Sequence, residues 1–256
     1  MSTTITTYNV NGIRASITKG LLNWVDSHAP EILCLQEIKA TEADIPVQEF
    51  HDRGYHCYWQ SAEKKGYSGV AILSKLKPQE LIIGCGNPLY DVEGRFITAV
   101  FPTFTLINIY FPSGSASEDR HQFKMEFLAF LGPWIQAMKE TYKNVILVGD
   151  YNIVHTRLDI HNPDRKDNPS GYRPEERQWM TDWLAEGFCD AYRHKHPEDK
   201  VYSWWSFRAG SRPKNLGWRI DYQCVTKDLI DKIEHVEHFT EVKFSDHCPV
   251  SVMYNI

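Results

Sequence analysis

Val145-Ile-Leu-Val-Gly-Asp-Tyr-Asn152 is an apolar run that breaks off at a carboxylate, with an amide two residues further on. Its four consecutive aliphatic residues read as a buried strand, placed at Asn144–Val148. A charge at the tip of a buried strand is costly unless it is paired or holds a cation. The pattern recurs along the chain. Ile5–Val10 carries Asn9 and leads to Asn11; Ile32-Leu-Cys-Leu-Gln ends in Glu37. Leu106-Ile-Asn-Ile ends in Tyr110, Trp218-Arg-Ile leads into Asp221, and Lys243-Phe-Ser leads into Asp246 and His247. Strands entering sheets with related direction would bring these tips to one edge, where sheet proteins place their sites.

Further strands are expected at Thr4–Val10, Ile32–Gln36, His56–Gln60, Gly69–Ser74, Phe96–Phe101, Thr103–Tyr110, Trp218–Val225 and Pro249–Tyr254. A helix from Ser117 gathers Phe123, Phe127, Phe130 and Leu131 on one face and should kink or end at Gly132-Pro133. A second opens at Pro174, with Glu175 and Glu176 in its first turn, and stops at Gly187. Many strands with helices between them imply an α/β sandwich with mixed sheets. No internal repeat or composition break divides the chain, so one domain over residues 1–256 is expected.

The chain is long enough to bury a core without disulfides or structural metals. Hydrophobic residues make up 42% and charged residues 24%, which excludes a disordered chain, a collagen and a coiled coil. No apolar run approaches a membrane span, so no membrane partner is expected. The start, Met1-Ser-Thr-Thr-Ile-Thr-Thr, has no secretory signal pattern, and Cys34, Cys57, Cys85, Cys189, Cys224 and Cys248 stand singly. Both fit a cytoplasmic protein with reduced thiols. The net charge of −5 runs against a protein that grips nucleic acid through phosphates alone, and it makes clustered acids expected.

Any one strand-tip acid is more often a turn former or helix cap, and Tyr110 or His247 alone is most often an ordinary packed side chain. Together they offer hard oxygen donors, which suit magnesium or manganese rather than zinc. An acid-paired histidine can bind phosphate or move a proton, and an aspartate beside an amide can aim and deprotonate water. These are the parts of metal-assisted phosphodiester hydrolysis. No Gly-x-x-x-x-Gly-Lys-Ser/Thr loop and no Gly-x-Ser-x-Gly elbow is present. Residues 202–219 interleave Trp204, Trp205, Phe207 and Trp218 with Arg208, Arg212, Lys214 and Arg219. That suits a phosphate backbone and an unstacked base or sugar; a solvated basic loop over core tryptophans is the alternative. The long polar stretch Asn162–Arg177, with Arg165, Lys166, Arg173 and Arg177, is expected to be functional or mobile.

Seven blocks resemble the exonuclease III family of apurinic/apyrimidinic (AP) endonucleases, within the endonuclease–exonuclease–phosphatase superfamily that includes DNase I. They are Tyr8-Asn-Val-Asn-Gly-Ile-Arg14, Leu35-Gln-Glu-Ile-Lys39, Gly66-Tyr-Ser-Gly-Val-Ala71, Asn108-Ile-Tyr-Phe-Pro112, Gly149-Asp-Tyr-Asn152, Lys214-Asn-Leu-Gly-Trp-Arg-Ile-Asp-Tyr222 and Ser245-Asp-His-Cys-Pro249. The Asp-His block is shared across the superfamily, whereas the 214–222 block is much narrower. The resemblance implies a four-layer α/β sandwich, two face-to-face mixed sheets flanked by helices. It implies magnesium-dependent incision 5′ to abasic sites in double-stranded DNA, trimming of blocked 3′ ends, and 3′→5′ exonuclease of variable strength, in a monomer. Manganese would substitute for magnesium.

Carried over by position, Glu37 ligates the metal with Asn9 and Asp246 beside it and Asp150 and Asn152 in the same metal set, and Asp150 and Asn152 prepare the attacking water. His247 paired with Asp221 binds the scissile phosphate, and Tyr110 contacts that phosphate or assists the leaving oxygen. Asn11, Arg14 and Lys39 line the DNA-facing side, Trp204, Trp218 and Ile220 form the pocket for the flipped abasic sugar, and Arg208 is a wedge candidate. Ser113 stands where many relatives carry Asn, and Trp204 where Phe is common. A predominantly 3′→5′ exonuclease, a phosphatase or phospholipase of the same superfamily, and a non-catalytic binding module are the rival readings.

Overall fold

A computed structural model describes residues 2–167 and 169–256; Met1 and Asn168, which falls in the long polar stretch, lie outside the described residues. Its strands are β1 (Ser2–Asn9), β2 (Ile32–Gln36), β3 (His56–Gln60), β4 (Val70–Ser74), β5 (Glu80–Ile83), β6 (Phe96–Val100), β7 (Thr105–Tyr110), β8 (Val145–Asp150), β9 (Phe188–Asp190), β10 (Asp221–Thr226), β11 (Ile233–His238) and β12 (Val250–Asn255). They form two six-stranded sheets, β11-β12-β1-β2-β4-β3 and β5-β6-β7-β8-β10-β9. Each sheet is mixed: β1 runs parallel to β2, and β7 parallel to β8, among antiparallel neighbours.

Side-chain alternation along the strands builds the layers. In β2, Ile32 and Cys34 pack between the sheets, while Leu33 and Leu35 join the outer cluster with the helices α1 (Ile13–Thr18), α2 (Leu21–His28) and α3 (Val47–His51). In β8, Ile146 and Val148 face inward. Val145 and Leu147 face outward, against α5 (Glu118–Thr141) and α6 (Pro174–Ala185). The four-layer α/β sandwich is therefore borne out. Two short helices, α4 (Pro88–Asp91) and α7 (Ala191–Lys195), complete the set.

The inter-sheet layer is not purely apolar. Gln36 of one sheet donates to Asn108 of the other at 2.7 Å, and Asn108 donates to the carbonyls of Leu35 and Ala71. Gln223 donates to the Ile5 carbonyl at 2.8 Å. Buried amides require such partners, so these bonds fix where one sheet sits on the other.

Expected and observed strands agree within two residues at most ends, with instructive exceptions. β10 begins at Asp221, not Trp218: its partner β8 ends at Asp150, and Trp218 instead bridges to Ile160 and Trp204. The unexpected strands β5, β9 and β11 all lie at sheet edges, where the apolar pattern is weakest. α5 runs through Pro133 to Thr141 and does not end at Gly132-Pro133. Pro133 and Ala129, four residues before it, lie on the exposed face, so the carbonyl left without an amide donor is on the solvent side, while Ile135 stays in the core. No helix among the described residues is long and apolar enough to cross a membrane.

Arg219 is fully buried at the entrance to β10 and donates to Asp159 and Asp190, both at 2.7 Å. Its guanidinium also lies 4.5 Å from the Tyr222 ring centroid. Replacing it by Met keeps the volume and strips two buried carboxylates of a cation. Arg219→Met is expected to cost about 3–5 kcal/mol, read as a lower urea midpoint at unchanged slope.

Candidate active site

Neighbouring strand ends bring the polar tips together. In the ladder, Tyr110 of β7 is registered with Asp150 of β8, and Asp150 with Asp221 of β10. From the other sheet, β1 ends at Asn9, registered with Gln36, and β2 hands over to Glu37. Asn9 spans the seam, donating to Asp150 at 2.8 Å and to Glu37 at 3.0 Å. Gly149 permits the close approach of β7 and β8: at its φ of +147°, a Cβ would lie 1.8 Å from the Ile109 carbonyl oxygen.

The chain then turns sharply at each tip. Asn11, Glu37, Lys39 and Asn152 all have left-handed φ, between 43° and 54°. Such positions cost on the order of 1 kcal/mol or more each and persist only when neighbours hold them. The Asn11 N–H donates to Asn9 Oδ1 at 2.9 Å, and the Asn152 N–H donates to Asp150 Oδ1 at 2.8 Å, two matching side-chain turns. The Glu37 carbonyl accepts from Gly12, and the Lys39 N–H donates to Ser68.

His247 donates from Nδ1 to Asp221 at 2.8 Å, which leaves Nε2 3.8 Å from Asp150. Ser203 Oγ accepts the N–H groups of Ile220 and Asp221, both at 3.0 Å. Asp246 accepts from Asn11 and from the Trp204 indole, both at 2.9 Å. Trp204 and Trp218 meet edge to face at 5.5 Å between ring centroids, with Ile220 in the same cluster. Carboxylates and tryptophans open into one cleft of about 430 Å³.

The sequence matches the endonuclease/exonuclease/phosphatase family over residues 6–247. The chain belongs to this family. It is 39% identical to an exodeoxyribonuclease of Bacillus subtilis (strain 168), over 97% of this chain and 98% of the relative. It superposes on an AP endonuclease from Archaeoglobus fulgidus with a TM-score of 0.90 at 28% identity, covering 99% of this chain and 100% of the other. A 3′ phosphatase from Neisseria bound to product DNA hairpin gives 0.92 at 28% identity, with coverage of 99% and 100%. The resemblance to exonuclease III-type AP endonucleases is thereby borne out.

In this family member four carboxylates (Glu37, Asp150, Asp221 and Asp246) meet Lys39, 2.8 Å from Glu37, and His247, 2.8 Å from Asp221, with Arg165 the third cation of the cleft among the described residues. Hard oxygen donors in negative excess fit a divalent cation. Asp150, Asp221 and His247 also bring ligand atoms within 4.8 Å of one another, a cluster that could hold a metal. Burial pushes the Asp150 carboxyl up to about 7; His247 opposes this and Asp221 adds to it. Burial alone would lower the His247 imidazolium, but Asp221 and Asp150 prevail and push it up to about 10. Burial, with Glu37 and Asp150 adding to it, raises the Tyr110 phenol well above its usual range, so it remains a donor.

Asn11, Glu37, Lys39, Tyr110, Ser113, Asp150, Asn152, Trp204, Trp218, Ile220, Asp246 and His247 line the cleft. Asn9 and Asp221 stand buried behind it, holding residues that do. Arg14 lines an adjoining groove with Lys64 and Lys65, joined to the cleft through Lys39. Arg208 sits on an exposed turn outside the cleft lining. Ser115, Arg165, Pro169 and Ser170 also line the cleft, and sequence reasoning did not single them out as site residues. Arg165, 5.8 Å from the Trp218 ring centroid, had signalled itself only as one charge in the long polar stretch.

Two outcomes test this wiring. In a double-mutant cycle, His247→Ala and Asp221→Ala should be strongly non-additive in kcat/KM, coupled by about 1–3 kcal/mol; independent losses would dissolve the pair. A reaction needing cationic His247 fails as pH rises through its pKa, so the wild-type alkaline limb belongs near 10. In Asp221→Asn burial is left less opposed, and the limb should move to lower pH in a single-turnover profile.

Proposed function

We propose that this chain is a metal-dependent AP endonuclease, hydrolysing the phosphodiester 5′ to an abasic site in duplex DNA and leaving a 3′-hydroxyl. The chain is a phosphodiester hydrolase of DNA repair. The observation that carries the finer reading is the apolar wall of Trp204, Trp218 and Ile220 beside Asp150 and His247 within one cleft, with Asp221 behind His247. A pocket that takes a flipped sugar and has no room for its base selects a site whose base is missing. Trimming of blocked 3′ ends uses the same group on a terminal sugar, and the protein acts as a monomer. A predominantly 3′→5′ exonuclease is the second reading, supported by the 39% identity to an exodeoxyribonuclease.

Glu37 and Asp246, with Asn9 adjacent, would hold magnesium, for which manganese substitutes. Bound there, the metal supplies Lewis-acid stabilisation of charge on phosphate oxygens. The remaining roles belong to the chain. Asp150, whose carboxyl titrates about 7, takes the proton of the attacking water while Asn152 aims it. His247, kept cationic by Asp221, binds a non-bridging phosphate oxygen as charge accumulates. Tyr110 donates its phenolic proton to the phosphate or to the leaving oxygen. Lys39 and Arg14 meet the DNA backbone.

One assay decides between the readings. A duplex with a single stable abasic analogue and an intact duplex with a recessed 3′ end are incubated with magnesium, with EDTA, and with Asp150→Asn protein. Fast magnesium-dependent cutting beside the analogue is expected, abolished by EDTA. Asp150→Asn should lower it by about 10²–10⁴-fold with DNA binding retained. Fast trimming without internal incision would make the chain an exonuclease, and no cutting of either would overturn the repair reading.

A further inference from the structure

Arg212 lies in the basic, aromatic segment read from the sequence as a DNA-facing surface, and it does not line the catalytic cleft. With Tyr202 and Trp205 it borders a second cavity of about 590 Å³. The consecutive tryptophans divide the two spaces: Trp204 lines the cleft and Trp205 this cavity. The Arg212 guanidinium packs 4.4 Å from the Trp205 ring centroid. Its Nη1 donates to the carbonyls of Ser245 at 3.0 Å and His247 at 3.4 Å; its Nη2 donates to those of Thr240, at 3.0 Å, and Val242. The Trp205 N–H donates to the Asp246 carbonyl at 3.0 Å. Three consecutive carbonyls, 245 to 247, are thus held from the segment 205–212.

We infer that Arg212 is a positioning residue, whose guanidinium fixes residues 245–247 so that Asp246 meets Asn11 and Trp204 while His247 meets Asp221 and Asp150. This rests on the roles given above to Asp246 and His247. The forked guanidinium reaches carbonyls on both arms of the 240–247 loop. An ammonium is a single point and cannot span both pairs. Without the clamp, the loop keeps its sequence and loses its registration against Asp150. A misplacement of about 1 Å in a catalytic group can lower the rate by about 100-fold.

The test uses Arg212→Ala and Arg212→Lys, with abasic-duplex cleavage followed at several salt concentrations. Both variants should lose kcat by about 10- to 100-fold at unchanged KM and unchanged salt dependence. Guanidinium at a non-denaturing concentration, entering through the second cavity, should restore part of kcat to Arg212→Ala. Sodium chloride at equal ionic strength should not. A readout independent of cleavage is the low-field proton resonance of His247 Nδ1–H in DNA-free protein, expected to broaden in both variants and to sharpen with guanidinium in Arg212→Ala. Full kcat with raised KM and a shallower salt dependence would instead make Arg212 a phosphate contact. A lower urea midpoint with kcat and resonance unchanged would make it a stability residue only. If Arg212→Ala does not fold, Arg212→Lys, which keeps the charge, carries the comparison. If wild-type protein leaves the abasic duplex uncut, the functional reading fails, and the resonance alone decides the clamp.

Discussion

The amide of Asn9 holds one carboxylate from each sheet side of the seam, Glu37 and Asp150, and everything chemical in this fold depends on that bridge. Two like charges brought together in a buried place repel each other and lose hydration. A neutral donor between them lowers that cost without cancelling the negative charge a cation needs. The bridge works only if the sheets stack in one register. That register is fixed deeper in the layer by Gln36, Asn108 and Gln223, whose amides reach from sheet to sheet.

The site concentrates features that a stable fold otherwise avoids. Four non-glycine residues beside it sit at left-handed φ, and Asp150 and Asp221 face one another in adjacent strands. His247 answers the second problem, donating to Asp221 while its other nitrogen lies near Asp150. The surrounding structure absorbs the strain through hydrogen bonds from backbone and side chain, so the tips are over-determined rather than mobile. An aspartate pushed up to about 7 and a histidine pushed up to about 10 are consequences of one crowded arrangement.

The segment 202–219 shows how one composition serves two ends. Arg219 is consumed by a buried ion-pair network with Asp159 and Asp190, and Arg212 by the carbonyls of the 240–247 loop. Arg208 alone of these three remains on an exposed turn. Trp204 and Trp218 face the cleft, while Trp205 supports the loop that carries His247. Basic and aromatic character in a motif therefore marks structural cations as readily as ligand contacts.

The central strands, the α/β class and the polar tips that end them are legible in the amino-acid sequence alone. Runs such as Val145–Val148 and Ile32–Leu35 are unambiguous because both faces of each strand are buried. The family motifs carried most of the cleft lining, because chemistry restricts those positions to few residue types. Tertiary structure decided the rest. The edge strands β5, β9 and β11 carry little pattern of their own and exist by pairing with a neighbour. The passage of α5 through Pro133 depended on which face met solvent. That Arg165 enters the cleft, and that Arg212 turns toward the loop behind it, depended on contacts between segments distant in the chain. Local sequence fixes what a residue can do; which partner it meets is set by the stacking of the two sheets, a non-local energy that no single stretch contains.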